Sequence, residues 1–555
     1  MKKYVIIGLP ICFLIILGIY YLGTPSQPYF ATNNPKSFHT IHFKDTKPQW
    51  FQAEVKNIFQ EATKGRLNNV PFVVGKTEIN QVIDQWGKST YTTTVDNFIY
   101  DDYTKQNITV GYTDTVIRDI RSYEEELNQI HLKDILNYKG EPDETHYYKD
   151  EKYDQVILEY HIDAFYNLKW ILPKPTDKDP NPTVHHISLV SNNHLDSVKQ
   201  IDSMTLEEKI GQMIISGIYG TKMTANTQSL IRDYQVGGVI FYPENITDVD
   251  QTMKLINEIK EENAENKIPL FLSVDQEGGR VTRLPGNLEE LPTNQAIGDI
   301  NDPELSYKIG QILGEQLSAF GLNLNFAPVL DIDSNPDNPV INNRSFGDNP
   351  TVVKELGIQT MKGIRSKNVI SVVKHFPGHG DTSVDSHLEL PTVNKSIQEL
   401  YSLELKPFIH AIKEGADAVM IAHILLPELD SLHPATLSHN IITDLLRNDL
   451  NFDGLIVTDD MTMDAIENNY ELGEAAVQSI KAGSDMILVA HEYHNVTETI
   501  KSVKQAVQTG EITEERIDES VSRILALKES YKINDNPKDS IDIKSLNELI
   551  KKTLP

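Results

Sequence analysis

Val369-Ile370-Ser371-Val372-Val373-Lys374-His375 is a nearly unbroken apolar run that stops abruptly on two basic side chains. A strand covered by helices on both faces reads this way, as a continuous apolar run rather than an alternating one. The same punctuation recurs from about residue 200 onward. Seven further runs lie at Gln212 to Ile218, Val236 to Phe241, Leu270 to Val274, Leu322 to Val329, Ala418 to Ala422, Leu455 to Val457 and Met486 to Ala490. Amphipathic stretches such as Val249 to Glu262, Leu305 to Phe320 and Ala465 to Ala482 separate them. Eight β-then-α units predict an α/β fold, a (β/α)8 barrel of the TIM type. An open doubly wound sheet is the alternative, but neither a Gly-x-Gly-x-x-Gly after a first strand nor a Walker loop supports it.

A barrel collects function at the C-terminal ends of its strands. Here the third run ends in Asp275-Gln276-Glu277-Gly278-Gly279-Arg280. The fifth ends in Lys374-His375, the sixth in His423 and the seventh in Thr458-Asp459-Asp460. One acidic residue at such a place reads as a helix cap; Asp275, Lys374, His423 and Asp459 together predict a shared polar pocket. The loop after the fifth run, His375 to His387, supports two chemistries. Its His and Asp residues suit a metallohydrolase. Alternatively Asp385 and His387 form a carboxylate–imidazole pair that moves a proton, with a second carboxylate as nucleophile.

Asp275-Gln276-Glu277-Gly278-Gly279-Arg280-Val281-Thr282-Arg283, Asn343-Arg344-Ser345-Phe346-Gly347, Lys374 to Gly380 with Asp385-Ser386-His387, and Val457-Thr458-Asp459 resemble glycoside hydrolase family 3. More narrowly they resemble its β-N-acetylhexosaminidase branch, over about residues 200 to 530. The resemblance implies a retaining mechanism, with Asp459 as nucleophile and His387, oriented by Asp385, as acid/base. It implies sugar binding by Asp275, Arg283, Arg344, Lys374 and His375, with no metal and no cofactor. Asp460 follows Asp459 where the family's β-glucosidases carry Trp, which favours N-acetylglucosamine (GlcNAc) over glucose. Gly378 and Gly380 read as a hinge for a mobile loop. His379 reads as a loop-packing residue or a partner of the site. His410, His433 and His491 are left without a catalytic role, and Asp331 and Asp333 are read as turn or supporting residues.

Composition bounds the rest. The 555 residues suit two to four domains. Lys and Arg total 51 against 80 Asp and Glu, a formal charge of −29, which argues against a nucleic-acid partner. Hydrophobic residues at 39% suffice for a large core. The single cysteine, Cys12, excludes an intrachain disulfide and a Cys-based zinc site. It lies in the apolar run Val5 to Leu22, which follows Met1-Lys2-Lys3 and is just long enough to span a bilayer. Residues 1–26 therefore read as a membrane anchor, with a cleaved signal segment as the alternative. The remainder is expected on the extracellular side, anchored or secreted.

Residues 27–66 read as a polar stalk, and 67–195 as a small α+β domain with a weak internal repeat. Ile79, Val82 and Trp86 run into Gly87; Leu132 and Ile135 run into Gly140, 53 residues later. Each helix-plus-turn is followed by strand-like runs. The pattern resembles the tandem helix-then-three-strands modules of β-lactamase-inhibitor-like domains, with a ligand that the sequence does not name. Residues 196–535 form the barrel and 536–555 a charged tail. The expected activity is that of an exo-β-N-acetylglucosaminidase acting on cell-wall (peptidoglycan) fragments or other GlcNAc-bearing glycans. A β-glucosidase, a GlcNAc phosphorylase and a catalytically silent glycan-binding protein are the alternatives.

Overall fold

The computed structural model describes residues 50–554 apart from 96–97, 114, 151, 163–165, 192–199, 202, 286–287 and 387–388. The expected anchor, most of the expected stalk and His387 lie outside the described residues. Among the described residues no helix is long and apolar enough to cross a membrane. The chain divides into two compact units, up to residue 195 and from 196 onward.

The first unit is an eight-stranded antiparallel sheet. Its strands are β1 (Tyr91–Val95), β2 (Phe98–Tyr103), β3 (Ile108–Thr113), β4 (Val116–Ser122), β5 (Glu144–Lys149), β6 (Asp154–His161), β7 (Tyr166–Pro173) and β8 (His186–Ser191). They run in the order β1-β2-β3-β4-β8-β7-β6-β5. Each half is a helix followed by four strands, not the three expected. The helices Ile79–Trp86 and Leu132–Lys139 both end on a glycine at positive φ, Gly87 and Gly140, where a side chain would be strained. The expected stalk also needs correction at its end. Residues Trp50–Ala62 form a helix whose Val55, Ile58, Phe59 and Ala62 enter this unit's core. Their helical spacing puts them on one face, where Phe59 meets Tyr160 and Trp170.

The second unit is the expected barrel. Its strands are β9 (Ile214–Gly217), β10 (Gly238–Ile240), β11 (Phe271–Val274), β12 (Leu324–Asn325), β13 (Ile370–Phe376), β14 (Ala418–Ile421), β15 (Leu455–Thr458) and β16 (Ile487–Val489). Each coincides with one of the eight apolar runs, β13 and β15 extending one residue beyond theirs, and every pairing is parallel. Several helices start where the sequence supplies a side-chain acceptor. Thr205 and Glu208 make a reciprocal capping box, and Asp302 caps the helix that opens with Pro303.

The β15–β16 seam closes differently from the rest. It has one backbone bridge, Val457 to Met486. Side-chain oxygens supply further rungs: Asp485 accepts from the Ile456 N–H, Thr458 from Leu488 and Asp460 from Ala490, each at 3.0 Å.

The helix Glu514–Ser530 buries Lys528, whose ammonium donates to the Gln212 side chain and the Gly237 carbonyl at 2.8 Å each. Burial pushes that ammonium's pKa down to about 7. The expected charged tail is part of this unit. Its helix Ile543–Thr553 buries Leu546 and Ile550, and Asn547 accepts from the Glu289 N–H at 2.8 Å.

Candidate active site

The strand ends bring most of the expected residues to one rim. Asp275 and Glu277 follow β11. Lys374 and His375 sit in an irregularity of β13, where the pairing with β14 shifts register between Val373 and Phe376. A bulge at a barrel rim re-aims side chains, which accounts for two consecutive residues both serving the pocket. Arg344 arrives from the long loop after β12. Its carbonyl is held by the Asn294 side chain at 2.7 Å.

These groups form a compact charge network. The Lys374 ammonium lies 2.5 Å from Asp275 Oδ1 and 2.8 Å from Glu277 Oε1. Arg344 grips both oxygens of Glu277, Nε at 2.9 Å and Nη2 at 2.8 Å. Two cations thus face two carboxylates, and Glu277 is shared between both cations. Burial alone would raise the Glu277 carboxyl; Arg344 and Lys374 outweigh it and hold it well below the usual range. Burial alone would likewise lower Lys374, but Asp275 and Glu277 hold it above its ordinary value. Lys374 and Arg344 are therefore largely occupied by protein carboxylates. Arg283 differs: among the described residues no carboxylate lies within ion-pair distance of it. Its backbone N–H donates to Gln276 Oε1 at 2.8 Å.

His375 is oriented by Asp331, which the sequence marked only as a supporting residue. His375 Nδ1 lies 2.6 Å from Asp331 Oδ2, and its Nε2 faces Arg344 Nη2 at 3.4 Å. Asp331 also accepts the backbone N–H of His375 and, at 2.7 Å, that of His379. Burial opposes ionisation of Asp331, but the His375 imidazole and these donors leave its pKa lowered.

The glycine-rich loop packs closely at its base. A Cβ at Gly380 would lie 1.6 Å from the Ile332 carbonyl oxygen. His379 is buried, with Nδ1 2.9 Å from the Thr382 hydroxyl and Nε2 3.0 Å from the Ser386 hydroxyl. Burial and the neighbouring His375 push its pKa down to about 4. The ring is therefore neutral near pH 7. Since the Thr382 hydroxyl donates to the His379 carbonyl, Nδ1 carries the proton and Nε2 accepts from Ser386. His379 thus ties down the residue preceding His387. Asp385 is half-buried, and its carbonyl accepts from the Glu389 N–H.

Asp459 and Asp460 divide cleanly. Asp460 is buried, and its Oδ1 accepts the N–H of Thr462 and of Ala490 at 3.0 Å each. The Thr462 hydroxyl adds two contacts at 2.8 Å. Burial raises the Asp460 carboxyl despite those donors. Asp459 is half-exposed at the rim, and its Oδ1 accepts the Asp460 N–H at 2.9 Å. His423 is fully buried beneath this turn. It bridges the Thr436 hydroxyl at 2.7 Å and the Asp460 carbonyl at 2.8 Å. Tyr242, unmarked in the sequence, also belongs to the rim. Burial first, then the charges of Asp460, Asp275 and Asp459, hold its hydroxyl well above the usual tyrosine range, so it stays a neutral donor.

Comparisons with known proteins bear on both units. Residues 205–527 match the family profile described as the glycosyl hydrolase family 3 N terminal domain. Residues 55–190 match a domain of unknown function (DUF4309), where the sequence pattern suggested β-lactamase-inhibitor-like modules. The chain is 36% identical over 337 residues to Beta-hexosaminidase A of Pseudoalteromonas piscicida, covering 56% of each protein. It thus spans little more than half the length of that relative. It is 34% identical to the Beta-hexosaminidase of Nitrosomonas eutropha, over 56% of this chain and 91% of that protein. Among solved structures it resembles a glycoside hydrolase family 3 beta-N-acetylglucosaminidase from Paenibacillus sp. str. FPU-7. The TM-score is 0.61 at 43% identity, over 63% of this chain and 68% of the other. With a nearly closed parallel barrel and more than half of its length matched, the chain belongs to glycosyl hydrolase family 3.

Proposed function

We propose that the chain is a retaining exo-β-N-acetylhexosaminidase acting on terminal β-linked GlcNAc. The observation that carries this reading is the division between the two adjacent aspartates. Asp460 is buried and taken up by the N–H groups of Thr462 in its own turn and of Ala490 across the β15–β16 seam, whereas Asp459 is half-exposed at the rim, in a chain similar to β-hexosaminidases. Asp459 attacks the anomeric carbon and forms a glycosyl-enzyme. His387, oriented by Asp385, protonates the leaving oxygen and then deprotonates the incoming water. Asp275 accepts sugar hydroxyls and Arg283 donates to them. Lys374, His375 and Arg344 shape the binding wall, held in place by Glu277 and Asp331. The apolar run Val5 to Leu22 supports placing the enzyme at the outer face of a membrane, where cell-wall glycans are within reach.

The test is release of nitrophenol from nitrophenyl-β-GlcNAc and nitrophenyl-β-glucoside, with and without phosphate, by wild type and Asp459→Asn. Preference for the GlcNAc substrate, independence of phosphate, and loss of turnover in the variant are expected. Faster release from the glucoside, or a glycosyl phosphate as product, would replace the proposed activity with that of a β-glucosidase or a phosphorylase. No turnover with sugar still bound would make the chain a binding protein.

A further inference from the structure

The first unit carries a cluster that no part of the barrel's chemistry uses. Glu144-Thr145-His146 lies on β5 and Glu159-Tyr160-His161 on β6, the same Glu-x-His spacing on two paired strands. Glu144 stands directly opposite Glu159 in the antiparallel register. Alternate residues of a strand share a face, so both Glu-x-His pairs project from one side of the sheet. The core residues Val156, Leu158 and Tyr160 occupy the other side. His146 Nε2 lies 3.1 Å from Glu144 Oε2 and 3.2 Å from Glu159 Oε2. His161 Nε2 is 4.0 Å from the other Glu144 oxygen. The ligand atoms of Glu144, His146 and Glu159 all lie within 4.8 Å of one another.

From this arrangement we propose that the β5–β6 hairpin binds a divalent transition-metal ion of the zinc class. Zinc bonds of about 2.0–2.2 Å in a tetrahedron set ligand atoms roughly 3.3–3.6 Å apart, close to the spacings seen here. The His146 imidazole among two carboxylates, with the His161 imidazole near enough to Glu144 to swing in as a fourth ligand, selects such a metal over calcium or magnesium, which take all-oxygen sites. Glu159 is already aimed: the Asn167 amide donates to its Oε1 at 2.8 Å, leaving Oε2 to face His146. Such a partner behind a ligand fixes its orientation. The Lys169 ammonium, 3.1 Å from the same Oε2, is the resident competitor and must swing aside on its flexible stem. β5 is an edge strand, paired only with β6, so an ion here would staple the edge of the sheet to its neighbour.

The test is calorimetric titration of zinc chloride into the purified, chelator-stripped full chain, paralleled by cobalt(II) absorbance, with an affinity tag that contains no histidine. One high-affinity equivalent and a tetrahedral cobalt spectrum are expected. Glu144→Gln, at a half-exposed side chain, and His146→Ala should each weaken that site at least tenfold. The His146→Ala, His161→Ala double variant should abolish it. Lys169→Met should bind more tightly than wild type. Absence of a stoichiometric site, or a site of unchanged affinity in the double variant, would overturn the proposal. The cluster would then be an ion-pair network centred on Lys169.

Discussion

Replacing Glu277 with Gln tests whether one buried carboxylate holds the binding wall together. The substitution keeps volume and one acceptor oxygen but turns the other oxygen into a donor facing the Arg344 or Lys374 donors. The network changes from two cations against two carboxylates to two cations against Asp275 alone. Breaking a buried pair from one side costs about 3–5 kcal/mol, and the retained acceptor places this variant near about 3 kcal/mol. In a unit of this size that lowers the barrel's melting temperature by roughly 5 °C. Displacement of Lys374 and Asp275 by about 1 Å should cost about 10²-fold in kcat/KM on nitrophenyl-β-GlcNAc. The pH dependence carries a definite sign. The Glu277 carboxyl is held below its unfolded value of about 4.3, so its contribution is complete above that pH and fades as pH falls through the folded value. The stability gap between wild type and variant should therefore be widest above about pH 5 and close in acid. A variant with the wild-type melting temperature and wild-type kcat/KM would refute the argument.

Three further outcomes follow from the same geometry. Asp460→Asn keeps an oxygen for the Thr462 and Ala490 N–H groups and should retain activity within about tenfold, whereas Asp459→Asn should lose roughly 10⁴-fold or more; near-equal losses in side-by-side kinetics would contradict the division between them. Gly380→Ala must displace the Ile332 carbonyl and should lower kcat while a thermal melt shows the barrel still folded; wild-type kcat would show that this loop's placement is irrelevant to turnover. Lys528, with a folded pKa of about 7 against roughly 10.4 unfolded, binds fewer protons folded than unfolded between those values, so stability rises with pH there, and Lys528→Met should flatten that rise in urea melts at pH 7 to 10.

The barrel was legible because its code is long and repeated. Eight apolar runs became eight parallel strands, and the four polar run-ends became rim or rim-supporting residues. What the sequence hid was division of labour between neighbours. Asp459 and Asp460 are identical in type; the family resemblance singled out Asp459, but the physical difference between them lies in the three-dimensional supply of N–H donors to Asp460. Glu277 was legible only within its motif and Asp331 only as a turn or supporting residue, because a residue that holds another leaves no spacing signal of its own; both sit in loops whose path depends on distant contacts. The glycines of the 378–380 turn suggested motion, but Gly380 reflects close backbone approach to Ile332. In the first unit the helix Trp50–Ala62 was readable from Val55, Ile58, Phe59 and Ala62, yet surrounding polar residues masked that stripe.

The side-chain rungs of the β15–β16 seam bind catalysis to the integrity of the cylinder. Thr458 and Asp460 flank the proposed nucleophile and at the same time lock the last stave to the barrel. A fluctuation that springs this joint would swing Asp459 out of register while the other strands stay paired. Heat, acid or denaturant should therefore end the proposed turnover ahead of global unfolding, with the Leu488 and Ala490 amides opening to solvent exchange in step with the loss.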